Sequence, residues 1–256
     1  ALKAATAGTA PAAGIRVVRI QDYTVGAVSS FTTQFPATGN LLIASWDGYS
    51  NGTLNCTITI ADNIGNTWTS RATAEQAPPI VYDEQLLDTS GAAVIGQNLI
   101  LTVTLSNSSG GSTMQLLDVV GAAASPFDNA QTATGLDNTN NTWNTVSITP
   151  TTTNGLVVVS ENQDASTVQS GTGGTTYRFD APWYPEENGG FNSLIDDRGT
   201  GHTYNTTTSA ITYAFTLKTG APGSWAAVAV AYKVVALSKI NVPFIVSQAV
   251  KRAASY

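Results

Sequence analysis

The stretch Leu54-Asn55-Cys56-Thr57-Ile58-Thr59-Ile60 decides the fold. Leu54, Cys56, Ile58 and Ile60 point to one side of an extended chain, and Asn55, Thr57 and Thr59 to the other. That two-residue period is the signature of a half-buried strand. The same alternation recurs in residues 15–20, 99–105, 210–217 and 226–235. Turn-forming clusters stand between the runs: Asp47-Gly48-Tyr49-Ser50-Asn51-Gly52, Asn107-Ser108-Ser109-Gly110-Gly111 and Gly171-Thr172-Gly173-Gly174. No segment carries a sustained apolar stripe of helical period. The reading predicts an all-β protein, an antiparallel β-sandwich of jelly-roll-like kind with about a dozen strands.

Composition supports this outward from the strands. A chain of 256 residues is long enough to bury one sizeable core, so a single sandwich domain over residues 14–237 is the expectation. Only 11% of residues are charged, against about 25% in an ordinary soluble domain. With 42% hydrophobic residues the chain has none of the charge excess that keeps disordered chains open. Its most apolar stretch, Trp225 to Tyr232, is far short of a membrane-spanning segment, so none is expected. One His, one Cys and one Met exclude a Cys/His zinc site and a Cys-x-x-Cys redox motif. They leave His202 as the sole base for a Ser-His-Asp triad, beside Asp196 or Asp197, and no Gly-x-Ser-x-Gly elbow accompanies it. His202 therefore reads as an ordinary polar loop residue. Asp62-Asn63-Ile64-Gly65-Asn66 has oxygen donors but reads as a tight turn, with neither metal nor cofactor expected. Cys56 reads as a small buried hydrophobe, and a lone cysteine allows no intrachain disulfide. Trp46, Trp68, Trp143 and Trp225 fall in or beside strand patterns and read as packing residues.

Charge divides the chain into three parts. Residues 1–21 carry Lys3, Arg16 and Arg19 and no acid. Residues 22–197 hold all 17 acids against only Arg71 and Arg178, a net −15. Residues 198–256 carry six bases (Arg198, Lys218, Lys233, Lys239, Lys251, Arg252) and no acid. The basic residues are scattered, without a stripe of interleaved aromatics, so no nucleic-acid partner is expected. An acidic body, the chain's own or a neighbour's, is the simpler partner for basic ends.

Two stretches are candidates for contact with other molecules. From Asp180 to His202 the chain gathers Trp183, Tyr184, Glu186, Glu187, Asp196 and Asp197. Trp183 and Tyr184 suit stacking on a pyranose face, and the carboxylates suit its hydroxyls. A glycosidase carboxylate pair is the weaker version, and a solvated loop stapled by its aromatics is the plain structural alternative. The second stretch, Ile240-Asn241-Val242-Pro243-Phe244-Ile245-Val246-Ser247, alternates like a strand, with Pro243 confining it to an edge. With Val250 it makes residues 238–256 an apolar tail. The tail either folds back on its own domain or adds to a neighbouring subunit through Val242, Phe244, Ile245, Val246 and Val250. Residues 1–13 read as an N-terminal extension.

Gly39-Asn40-Leu41-Leu42-Ile43, then Ala61 to Trp68, Ser125-Pro126-Phe127-Asp128, and Trp225 to Lys233 resemble, in that order, a loosely defined group of domains. These are secreted bacterial and phage-associated β-sandwich domains of surface, fibre and polysaccharide-associated proteins. The resemblance spans roughly residues 14–235 and implies the sandwich fold and an extracellular setting. It carries over no catalytic residues. The function expected from all of this is an extracellular structural protein, a self-assembling subunit of a filament, fibre, coat or surface layer, and not an enzyme. A carbohydrate-binding module or adhesin head is the alternative, with an extracellular hydrolase last. The partner expected is the chain itself, with a polysaccharide as the alternative ligand.

Overall fold

A computed structural model of the chain describes residues 14–25, 29–50, 56–76, 81–89, 98–107, 111–137, 143–164, 184–190, 196–216 and 223–235. Among them run fifteen strands and no helix. They are β1 (Arg16–Val25), β2 (Ser30–Pro36), β3 (Leu41–Ser50), β4 (Ile58–Asp62), β5 (Trp68–Glu75), β6 (Val81–Thr89), β7 (Asn98–Leu105) and β8 (Gly111–Val120). There follow β9 (Ala122–Asp137), β10 (Trp143–Ile148), β11 (Leu156–Asp164), β12 (Tyr184–Gly190), β13 (Asp196–Tyr204), β14 (Ile211–Thr216) and β15 (Gly223–Val234). Every ladder is antiparallel. The all-β antiparallel class read from the sequence is therefore the architecture, built from more strands than the alternation alone suggests.

The strands form four sheets. The first large sheet has the order β1-β8-β3-β6-β5 and the first small sheet β2-β7-β4. The second large sheet runs β12-β13-β11-β15-β9, and the second small sheet pairs β10 with β14. Three apolar cores separate them. Phe35, Leu99, Leu101 and Val103 of the first small sheet meet Leu42, Trp46 and Leu116 of the first large sheet. Leu41, Ile43, Leu86 and Leu117 meet Val158, Val228, Val230 and Tyr232 between the two large sheets. Val146, Ile148 and Tyr213 of the second small sheet cover Val157, Val159 and Ala229.

This layering explains which strands alternate. In β7, Leu99, Leu101, Val103 and Leu105 are buried while Ile100, Thr102 and Thr104 are exposed, as a sheet with one wet face requires. β15 lies between two cores. Val228 and Val230 face the first large sheet and Ala227, Ala229 and Ala231 the second small one, so the strand reads as one apolar run.

One local reading changes and another holds. Asp47-Gly48-Tyr49-Ser50 is not a turn but the end of β3. A Cβ on Gly48 would stand 2.1 Å from Cη2 of Trp46, so that glycine makes room for a ring and bends nothing. Asp62 to Asn66 is the turn expected. Gly65 has φ +80°, and the Asp62 carboxylate accepts from Ile64 N (3.1 Å), Asn66 N (3.0 Å), Asn66 Nδ2 (2.9 Å) and Trp68 Nε1 (2.9 Å). Burial would raise this carboxyl, and the four donors together hold it below its ordinary value. Cys56 is buried with a free thiol, and Trp46 and Trp225 are buried in cores, as expected from their strand positions.

Candidate functional site

The acid-rich stretch read as a solvated loop is, over its described residues, an antiparallel hairpin. β12 carries Tyr184, Glu186 and Glu187 at the edge of the second large sheet, and β13 carries Asp196 and Asp197. The register pairs Tyr184 with His202, Glu187 with Thr200 and Gly190 with Asp197. Glu187 therefore stands three residues along the ladder from the position opposite Asp197, about 10 Å at the strand rise. Asp196 and Asp197 lie instead opposite Asp164 and Gln163 of β11. The backbone thus divides the four acids into two groups. Trp183 and the tail residues Val242, Phe244, Ile245, Val246 and Val250 lie outside the described residues.

His202 is not a loop residue. It is buried in β13 beside Val158, its ring 5.2 Å from that of Tyr204 in an edge-to-face contact. Burial pushes its pKa down to about 4, so it is neutral at neutral pH. Sequence reading missed this strand because its inner residues are polar. Thr200 and His202 alternate with Gly199 and Gly201, a two-residue period without an apolar member.

His202 stands where the apolar core between the large sheets gives way to a polar layer. Ser45 and Asp47 enter it from β3, Glu84 from β6, Thr113 and Gln115 from β8, Ser160 and Asn162 from β11, and Thr200 from β13, all buried. The layer is stitched across the gap. Ser45 Oγ lies 3.3 Å from Thr200 Oγ1, which is 3.2 Å from Ser160 Oγ, and Asn162 Nδ2 donates to Gly48 O at 2.9 Å. Asp47 accepts from the backbone N and the hydroxyl of Thr113, its cross-strand neighbour. Glu84 is directly opposite Asp47 on the other side of β3. These hydroxyls, amides and carboxylates are nearly closed to solvent. They fix the register of one sheet upon the other, because each buried polar group needs its partner.

A second set of buried acids works on the faces and edges of the first large sheet. Asp118 accepts from Thr38 N, Thr38 Oγ1 and Gly39 N, each at 2.7 Å, and so closes the turn into β3. Asp83 and Gln85, alternate residues of β6, clip the strand start at β4. Asp83 Oδ2 accepts from Cys56 N (2.7 Å), while Gln85 accepts from Ile58 N (2.8 Å) and donates to Ile58 O (3.3 Å). The other Asp83 oxygen is buried without a hydrogen bond. Burial, with Glu75 adding repulsion and Cys56 N opposing, raises the pKa of Asp83 to about 7. Asp88, raised by burial, is drawn back by Arg71, whose Nε lies 2.9 Å from both its oxygens. The Arg71 guanidinium also caps the Phe127 ring at 4.7 Å. Among the described residues no group of His, Cys, Asp and Glu has the geometry to hold a metal ion.

The acids that make the body so negative are thus partly internal fixings. The only sequence signal for them was Asp83-Glu84-Gln85-Leu86-Leu87-Asp88, a strand with too many acids to be read as core. Asn205, the first residue of the sequon Asn205-Thr206-Thr207, is buried, with Nδ2 donating to Thr152 O and Thr207 O, so it is closed to glycosylation in the folded chain. Comparison with known proteins gives no match to a family model, a curated protein or a solved structure.

Proposed function

We propose that the protein is an extracellular structural subunit that assembles with copies of itself into a filament, fibre, coat or layer. The observation that carries the reading is how the polar groups are used. Those in the described body fasten sheet to sheet and strand to turn, in an interior closed to solvent. The terminal segments, residues 1–13 and 238–256, carry bases and no acid, and the second is also apolar. Such a body is a rigid block, and such a tail has apolar side chains to bury, each worth roughly 1.5 to 3 kcal/mol when fully removed from water. Edge strands β1, β5, β9 and β12 of the large sheets offer main-chain pairing directions. A head-to-tail contact of that kind propagates unless rotation closes a ring.

The alternative of glycan binding rests on one placement: Tyr184, Glu186 and Glu187 share an edge strand. Light scattering of the whole chain across concentration and salt tests the first reading. Growth with concentration, weakened by salt that screens exposed charges, is expected. A chain that stays monomeric at high concentration overturns it.

A further inference from the structure

The two halves of the chain repeat one plan. Counted from its own first strand, the first half orders its large sheet 1-8-3-6-5 and its small sheet 2-7-4. Read from β9, the second large sheet is β9-β15-β11-β13-β12 and the small sheet β10-β14. If β9, β10 and β11 stand for β1, β2 and β3, and β12 to β15 for β5 to β8, the orders coincide. Only a counterpart of β4 is missing among the described residues.

The registers coincide as well. Leu41 pairs with Val119 and Ile43 with Leu117 and Asp88. Leu156 pairs with Tyr232, and Val158 with Val230 and His202. Four of the five irregularities fall at matched places; the fifth, between Tyr232 and Val234 on the β9 ladder, has no counterpart on the β1 ladder. On the β1 ladder the register slips after the partner of Val119, leaving Val18 extra, and on the β9 ladder after the partner of Tyr232, leaving Asp128 extra. On the β5 ladder Arg71 is extra between the partners of Leu87 and Leu86, and on the β12 ladder Glu186 is extra between those of Gly201 and Thr200. Bulges favour sheet edges, and all four of these strands are edges, but edge position alone does not fix the residue at which each register slips. The turns into the third strand differ by one residue, Gly39 standing two positions before Leu41 and Gly155 one before Leu156, yet both glycines meet the carbonyl of a matched residue: a Cβ on Gly39 would lie 2.1 Å from Val119 O, and one on Gly155 2.3 Å from Tyr232 O.

The halves also meet as equals. β3 faces β11 through Asn162 and Gly48. The matched residues Val17 and Phe127 each touch the opposite half, Val17 N donating to Tyr204 Oη at 3.2 Å and the Phe127 ring lying under Arg71. The beginnings and ends of both halves converge, with Val235 N donating to Gly121 O at 2.8 Å and a Cβ on Gly121 meeting Gly14 O at 2.3 Å.

From these coincidences we infer that the chain is an internal duplication, two copies of one sandwich unit packed through their large sheets about a local twofold axis between β3 and β11. The large-sheet face is then a self-recognition surface whose partner is a second copy of the unit, and the outward faces of the chain come in matched pairs. This stands on strand register and does not depend on the assembly reading. A crystal structure of the whole chain tests it. Superposing the second half on the first should need a rotation close to a twofold, with matched Cα atoms closer than the roughly 3.3 Å step between strand residues. A rotation far from a twofold, or a best fit slipped by one residue, overturns the inference. In solution, Gly39→Ala and Gly155→Ala should lower the melting temperature by similar amounts. Sensitivity at only one of them contradicts the matched roles, and if neither variant folds the superposition decides.

Discussion

Replacing Asp83 by asparagine should remove part of the stability loss that the native protein undergoes as pH rises. Asp83 is fully buried, and its pKa is raised from 3.8 to about 7. A carboxyl raised on folding holds its proton in the native state at pH values where the unfolded chain has released it. Its contribution is therefore complete below the unfolded pKa and is lost as pH climbs through the native one, between about pH 4 and pH 7. At about 1.4 kcal/mol per pKa unit the loss is about 4 kcal/mol, or roughly 10 °C of melting temperature for a chain of this size. Asparagine keeps an acceptor for Cys56 N and carries no charge at any pH. The groups that face Asp83, the Glu75 carboxylate across the β5–β6 ladder and the Cys56 thiol, are present in both proteins, as is Asp88. They cancel in the comparison. Thermal melts of native protein and D83N from pH 3.5 to pH 8.5 should lie closest at the acid end and separate by several degrees at the alkaline end, with the variant the more stable there. Parallel curves across the whole range would refute the assignment of the strained carboxylate to Asp83.

Other expectations follow from particular contacts. Gly48→Ala drives a methyl into the Trp46 ring and should cost about 1 to 3 kcal/mol in urea unfolding, the range for overpacking; a neutral effect would mean the ring has room to move. Asp118→Ala deprives Thr38 and the buried Gly39 N of their acceptor and should cost about 3 kcal/mol, measured the same way. Arg71→Ala leaves Asp88 buried without its counter-charge and should cost about 3 to 5 kcal/mol, more than truncation of an exposed arginine can.

Where one face of a strand is wet, the fold was legible in the sequence. β7 alternates apolar with threonine because one side meets a core and the other water. Legibility failed where the buried face is polar. Asp47-Gly48 reads as a turn because aspartate and glycine favour turns, yet in β3 the aspartate bonds Thr113 and the glycine yields to Trp46. The hairpin from Tyr184 to Tyr204 reads as a loop because Thr200 and His202 face a polar layer, for which hydropathy has no signal. The duplication was invisible for a related reason: matched positions keep their register but not their chemistry. Asp88 stands where His202 does, and Arg71 where Glu186 does.

The claim that the protein is a self-assembling subunit depends most directly on its apolar C-terminal segment. Val242, Phe244, Ile245, Val246 and Val250 together offer burial comparable with the cost of association and of ordering the segment. The deciding measurement compares the whole chain with a chain ending at Leu237, at matched concentration, by light scattering and electron microscopy. The whole chain should form regular assemblies and the shortened one should remain monomeric. Equal assembly by both would contradict it.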